Sequence, residues 1–354
     1  MSTIIDEARV EAFVGQIATD IGAALGAALV TIGDRLGLYR AMADGQPVSA
    51  AELAARTETQ ERYVREWLNN QAAGGYVTYD PGSDRYTLPA EHAFVLADES
   101  SPLALAGMFQ SAGAVFDGRM RVAERFRSGG GVGWHEHHDD LFHGVERAFA
   151  ANYRASLVTE WLPALDGVVE KLERGARVAD VGCGHGASTI LIAQAFPEAE
   201  LVGYDYHPES IATARTRAQE AGVGDRVRFE IASADGFAGE RYDLIAFFDA
   251  LHDMGDPVAA VRRAAAGLAP DGSCMVVEPF ANDRIEDNLN PVGRVYYGYS
   301  TLVCTPGALS QGGTALGTQA GEAKLREVLQ AGGFGSVRRA AETPFNLVIE
   351  ARLP

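Results

Sequence analysis

Cysteine is scarce in this chain. The 354 residues hold three, Cys183, Cys274 and Cys304, far apart and without the CxxC spacing of a zinc ribbon or redox pair. A reducing compartment fits best. Lysine is missing from the first hundred residues, where seven arginines stand against fifteen acidic residues. With a formal net charge of -18, the chain repels phosphate backbones and anionic head groups, so neither nucleic acid nor membrane is expected as a partner. A basic leader is also lacking, since the N-terminus carries Asp6, Glu7 and Glu11. No secretory signal is expected, and the chain reads as cytoplasmic. Long hydrophobic runs are few: IGAALGAALVTIG at residues 21–33, bounded by Asp20 and Asp34, is thirteen residues long against the roughly 20 that a bilayer requires.

Within and around that run, Ile17, Ile21, Leu25, Leu29, Ile32 and Leu36 recur at helical spacing. Gly22 and Gly26 would let a second helix approach, so the segment reads as a packed helix in a core or a homodimer interface. Length and a 47% hydrophobic content suggest more than one domain.

Residues 49–97 read as a winged helix. Ser49 and Glu52 make a capping box, a second helix covers residues 60–73, and strands at 76–79 and 86–88 flank the turn DPGSD. DNA recognition is one function for such a unit and dimerisation another. The would-be reading helix holds Glu58, Glu61 and Glu66 beside Arg62 and Arg65, too acidic a surface for DNA.

Residues 101–174 read as a helical linker broken at Gly129-Gly130-Gly131. Its segment WHEHHDDLFH holds half of the eight histidines, at a spacing that matches no metal motif. We read no metal there; His137 and His138 are either a wall of a substrate pocket or surface residues.

Strands and helices then alternate. Strands are expected at 177–183, 201–205, 227–232, 242–249 and 273–280, with helices at 187–196, 208–221 and 256–268. Short apolar strands separated by amphipathic helices predict a doubly wound, mostly parallel α/β sheet with its ligand crevice at the carboxyl ends of the strands. Residues 336–342 and 345–353 form two further strands joined at Thr343-Pro344, a hairpin that makes the last strand antiparallel.

Where the first of these strands meets its helix stands DVGCGHG, with Gly182, Gly184 and Gly186 permitting close approach of main chain to ligand. Asp205 ends the next strand nineteen residues beyond Gly186, a position from which a carboxylate binds both hydroxyls of an adenosine ribose. An adenosine-type cofactor follows, and because GCGHGA also fits the dinucleotide pattern, NAD stands as the competitor.

Taken in order, DVGCGHG, GYDYHP, SADGF, FFDALHDMGDP and APDGSCMVVEP resemble class I S-adenosylmethionine-dependent methyltransferases with a Rossmann-like sheet, across about residues 177–354. With the winged helix, the chain resembles an actinobacterial two-domain methyltransferase family, as do WHEHHDDLFHGVER, EDNLNPVGRVYY and TPFNLVIEAR. The resemblance implies S-adenosylmethionine as cofactor and S-adenosylhomocysteine as its product. It places Asp180 at the amino acid end of the cofactor, Asp205 at the ribose, Asp235 and Gly236 at the adenine with Phe237 on its ring, and Tyr206 among the cofactor contacts. Phe248 and Asp249 complete that pocket. The organisation implied is a winged-helix dimerisation domain at 1–100, a linker and substrate-pocket segment at 101–174, and a methyltransferase domain at 175–354.

The segment FDALHDM also resembles that of small-molecule O-methyltransferases, in which His252 matches the general base and Glu278 and Glu322 the acids that flank it. Met254 stands where that family carries tryptophan, so His252 reads either as the base or as a wall of the cofactor pocket. Residues 281–320, polar and rich in Gly and Tyr, read as a long loop capping the acceptor, with Tyr297 among its contacts. The expected activity is methylation of a small molecule at oxygen, with nitrogen, carbon or non-methylating chemistry as alternatives. A winged-helix regulator sensing a nucleotide is a third reading.

Overall fold

The computed structural model describes residues 5–239 and 241–354. The chain divides into two compact units, one made of residues up to Phe116 together with Asp139–Ala151, the other of Asp117–His138 together with Asn152–Pro354. The region expected as a separate linker, 101–174, is thus shared between the two.

In the first unit, α1 (Glu7–Arg35) begins at Asp6, whose carboxylate accepts from the N–H groups of Ala8 and Arg9 at 3.0 and 3.2 Å. It runs for 29 residues, and by length and composition it could cross a membrane. It extends N-terminal to the helical pattern read from Ile17 to Leu36, because helix propensity carries through the residues that precede that pattern. Only Val30, Gly33 and Asp34 of α1 are buried, while Val10, Phe13, Val14, Ile17, Ile21, Leu25 and Ile32 are exposed. Packing within the unit is confined to the end of the helix: Trp67 Nε1 donates to the Leu29 carbonyl at 2.8 Å, and its ring fills the space a Cβ at Gly33 would need.

There follow α2 (Leu38–Ala41), α3 (Ala50–Arg56), α4 (Glu61–Ala73), β1 (Thr78–Asp80), β2 (Arg85–Thr87) and α5 (Ala90–Leu96). The capping box forms as read, with Glu52 N–H donating to Ser49 Oγ at 3.3 Å and Ser49 N–H to Glu52 Oε2 at 2.8 Å. β1 and β2 pair antiparallel, and Asp80 holds their turn by accepting from the Gly82 N–H at 3.0 Å. Leu38, Tyr39, Met42, Leu53, Trp67, Leu68 and Leu88 make the core. Next come α6 (Ala106–Ser128) and α7 (Asp139–Ser156), which pack backbone to backbone at Gly107 and Gly144.

The second unit continues through α8 (Val168–Leu172), β3 (Arg177–Val181), α9 (Ala187–Ala195), β4 (Glu200–Asp205), α10 (Pro208–Glu220), β5 (Val227–Ile231) and β6 (Tyr242–Phe248). After these come α11 (Pro257–Gly267), β7 (Leu268–Pro279), α12 (Pro291–Tyr299), α13 (Thr305–Ser310), α14 (Gly321–Ala331), β8 (Ser336–Glu342) and β9 (Asn346–Arg352). Proline in the first turn with a side-chain cap opens α10, α11 and α12, the caps being His207, Asp256 and Asn290. The sheet order is β5-β4-β3-β6-β7-β9-β8, parallel from β5 through β7 and antiparallel at β9. β3, β6 and β9 are buried along nearly their whole length, as a sheet covered on both faces requires. Residues 281–320 are not the loop expected. They fold as α12, a π-helical turn Ser300–Cys304 and α13, because Asn290-Pro291 starts a helix on which apolar residues can pack.

Candidate active site

The chain leaves β3 toward β4 on one side and later returns to β6 on the other, so the order of the strands reverses beside β3 and opens a crevice at their carboxyl ends. The glycine loop lies there. The N–H groups of Gly182 and Cys183 both donate to the Tyr204 carbonyl, at 2.8 and 3.0 Å, folding the loop back over β4. Gly182, Gly184 and Gly186 all adopt left-handed backbone, at φ of 80°, 52° and 81°. A Cβ would strike Ala250 from Gly182 and the Phe229 ring from Gly186, whereas at Gly184 it would meet nothing within 4 Å. Gly184 therefore faces open space.

Two carboxylates border that space. Asp205 accepts from the N–H of Gly184 on Oδ2 and from that of His207 on Oδ1, each at 2.9 Å, and burial raises its carboxyl above the usual range. Each oxygen keeps a lone pair for a further donor. Asp180 is fully buried; Oδ2 accepts from Ser188 Oγ and Thr189 Oγ1, both at 2.6 Å, while Oδ1 has no hydrogen-bond partner. Burial pushes this carboxyl up to about 6. A buried, unpartnered carboxylate oxygen is costly unless a donor arrives.

On the other side of the crevice, the 3₁₀ turn Leu251–Asp253 follows β6. His252 is buried, and its Nδ1 lies 2.5 Å from Glu278 Oε2 near the end of β7. Glu278 Oε1 accepts from the N–H groups of Leu251 and His252 at 3.0 and 3.3 Å, so the carboxylate fixes both turn and ring. Burial opposes the imidazolium, yet the charges of Glu278 and Asp253 prevail and hold the His252 pKa well above the usual value. Nε2 faces Asp253 Oδ1 at 3.3 Å and the Cys304 thiol.

Residues 172–333 match the family model for a methyltransferase domain, and residues 23–98 match that of the Rv2258c-like winged HTH domain. The chain carries a methyltransferase domain behind a winged helix. A ubiquinone biosynthesis O-methyltransferase from Bordetella avium is 34% identical over 116 residues, 32% of this chain and 45% of that protein. The matched stretches span 24% to 45% of the length of the curated relatives. Among solved structures, an O-methyltransferase family protein from Burkholderia thailandensis superposes with a TM-score of 0.69 at 18% identity, covering 99% of each chain. An O-methyltransferase from neocarzinostatin biosynthesis, solved with S-adenosylmethionine and 2-hydroxy-5-methyl naphthoic acid, gives 0.63 at 18%, covering 93% of this chain and 96% of that one. At such identities the likeness is one of fold.

In this methyltransferase domain Asp180, the three glycines, Asp205, Asp249, His252 and Glu278 gather at the carboxyl edge of the sheet, with Tyr206 exposed just beyond β4. Asp235 and Gly236 are exposed on the loop after β5. Phe237 departs from expectation: its ring is 2% exposed, lodged in the core 5.2 Å from the Tyr204 ring and covered by the Arg263 guanidinium, which leaves no face for an adenine. Glu322 also departs. Its carboxylate is taken by Arg326 at 2.8 Å and Arg339 at 2.6 Å, whose charges hold it low against burial, and it supports β8 instead of His252. Phe248 is buried with its ring 5.5 Å from that of Tyr153.

Of the pocket-wall candidates, His137 is half-buried and held below the usual imidazole pKa by burial first and then by the Arg121 charge; Asp253 acts on it in the opposite sense. Its segment is pinned to α13, Gly131 abutting Ser310 and the Val132 N–H donating to the Pro306 carbonyl at 3.0 Å. His138 is exposed and Tyr297 half-buried on α12. Sequence reading missed Tyr153, Asn346, Asp253 and Cys304. Tyr153 Oη and Asn346 Nδ2 donate to the two oxygens of Asp249 at 2.7 and 2.8 Å. Asn346 sits opposite Pro279 in the β7–β9 register, so pairing the last strand in detail would have found it.

Proposed function

We propose that this protein transfers a methyl group from S-adenosylmethionine to an oxygen of a small molecule, with His252 as general base. The observation that carries the reading is the His252–Glu278 pair, buried beside the glycine loop, with Glu278 on Nδ1 and Nε2 as the opposite ring nitrogen. The cofactor fits the residues present: the unpartnered Oδ1 of Asp180 suits its ammonium, the lone pairs of Asp205 its ribose hydroxyls, and the open side of Gly184 its close approach. When bound, it supplies a sulfonium-activated methyl group. The chain does the rest. Glu278 accepts from Nδ1–H and so fixes the tautomer in which Nε2 takes the acceptor's hydroxyl proton, while the buried site excludes water. His137, His138 and Tyr297 line the acceptor side in this reading, which suits a small aromatic acceptor better than a macromolecule.

Crowding of Nε2 by Asp253 and Cys304 favours a second reading, in which His252 only shapes the pocket and the acceptor loses its proton elsewhere. His252→Ala separates the two. As base, its loss lowers kcat by about 10²- to 10⁴-fold with cofactor affinity unchanged. Because the His252 pKa is raised, the wild-type rate climbs with pH through a value above 6.5, and the variant loses that inflection. A variant within a few fold of wild type would sink the base assignment. The acceptor is identified by incubating enzyme, labelled cofactor and cell extract and isolating the labelled product. Homodimerisation through α1, lack of nucleic acid binding and a cytoplasmic site belong to the same reading; they draw on the exposed apolar face of α1, the acidic charge and three free, buried cysteines.

A further inference from the structure

The carboxyl edge of the sheet gathers three metal-ligating side chains, two of which, Asp253 and Cys304, have no part in the proposed methyl transfer. His252 Nε2, a carboxylate oxygen of Asp253 and Cys304 Sγ all lie within 4.8 Å of one another, and they form the one such group of three found among the described residues. We propose that these three atoms bind a divalent cation of the zinc class.

Four observations support the site. The separation between His252 Nε2 and Asp253 Oδ1 is 3.3 Å. Nitrogen and oxygen ligands each about 2.0–2.1 Å from a tetrahedral zinc stand roughly 3.3–3.4 Å apart, so this pair is already spaced for the ion. Asp253 Oδ1 is a buried oxygen with no hydrogen-bond partner, close to Nε2 yet off the axis of a hydrogen bond. It lacks a partner along its lone pair, which a coordinated cation would supply. Third, the other ring nitrogen is held at 2.5 Å by Glu278, which in turn accepts two main-chain N–H groups. A carboxylate behind a histidine in this way fixes the ring and raises the basicity of the nitrogen that faces the metal. Fourth, the ligand atoms come from separately anchored elements: His252 and Asp253 from the 3₁₀ turn after β6, Cys304 from the π-helical turn between α12 and α13.

The donor set decides the class of ion. A thiolate with an imidazole and one carboxylate suits zinc or cobalt and disfavours magnesium and calcium, which take oxygen ligands. On binding, the thiol proton and the Nε2 proton of the imidazolium both leave to solvent, and sulfur–metal and nitrogen–metal bonds replace the S–H and N–H bonds. Three protein ligands leave the fourth position open to water. An ion there takes the lone pair that the base assignment needs, so zinc would inhibit methyl transfer; that consequence rests on the proposed function, whereas the site itself does not.

The test is a titration of metal-free protein with cobalt(II), followed by displacement with zinc. One equivalent is expected to bind with a Kd near or below about 1 µM, giving the strong visible absorption of tetrahedral cobalt and a near-ultraviolet thiolate-to-cobalt charge-transfer band. Cys304→Ser is expected to abolish the charge-transfer band, and Cys274→Ser to keep it. Asp253→Asn serves as a second variant that leaves the thiol in place; it is expected to keep the band while binding at least about tenfold more weakly. Absence of the band in wild-type protein overturns the proposal, as does its persistence in Cys304→Ser or unchanged affinity in Asp253→Asn. The readout is independent of methyl transfer, so an inactive enzyme that still binds cobalt in this way sinks the function and leaves the site standing.

Discussion

At Asp249 the chain holds a carboxyl group on a left-handed backbone, at φ of 48°, at the tip of β6. Burial is the main reason its pKa is pushed up to about 7; the Glu278 charge adds to this, while hydrogen bonds from Tyr153 and Asn346 oppose it. A carboxyl whose folded pKa is raised contributes stability below its unfolded pKa, near 4, and loses that contribution as pH climbs through the folded value. Asp249→Asn should therefore remove a pH-dependent loss on the order of 4 kcal/mol between pH 4 and 8, and unfolding midpoints against pH are expected to flatten in the variant. An unchanged slope would show that Asp249 ionises freely. At this scale the site was half legible. His252, Glu278 and Asp205 could be found because each stands where a strand, itself recognisable by its apolar run, gives way to a loop. Cys304 and Tyr153 could not, because their elements precede or follow the strands by many residues and only packing brings them in.

Among the elements, the glycine loop and α1 make opposite demands. Gly186 caps the N-terminus of α9 at φ 81°, with the Phe229 ring 2.6 Å from where a Cβ would stand. Gly186→Ala combines backbone strain with a clash and is expected to cost about 2–4 kcal/mol, read as a lowered denaturation midpoint. The α1 helix shows its apolar residues outward. If they form the subunit contact, Ile21→Asp converts a dimer to a monomer in light scattering at micromolar concentration; a mass unaffected by the substitution would place the contact elsewhere. Strand and helix periodicity made most elements readable in advance, including the reversed last strand. Residues 281–320 were misread because polar and tyrosine-rich composition resembles a loop, while Asn290-Pro291 and the buried Tyr296, Val303 and Cys304 make it helical.

For the whole molecule, charge is the governing quantity. On α4 the arginines are matched within the helix, Arg65 with Glu61 at 2.7 Å and Arg62 with Glu66, so little positive field remains on the helix that would read DNA. Fluorescence anisotropy with random duplex DNA near 0.1 M salt should show no saturable rise at micromolar protein. Saturable binding would revive the regulator reading.

The sequence by itself determined the alternation of strands and helices, the glycine turn and the acidic charge, since these follow from local periodicity, backbone freedom and composition. Tertiary structure alone decided which side chains meet. It buried Phe237 beneath Arg263, bound Glu322 to two arginines away from His252, and brought Cys304 to the imidazole. The reason is physical: periodicity reports which face of an element is apolar, whereas contacts between distant segments depend on how the packed core satisfies volume and charge at once.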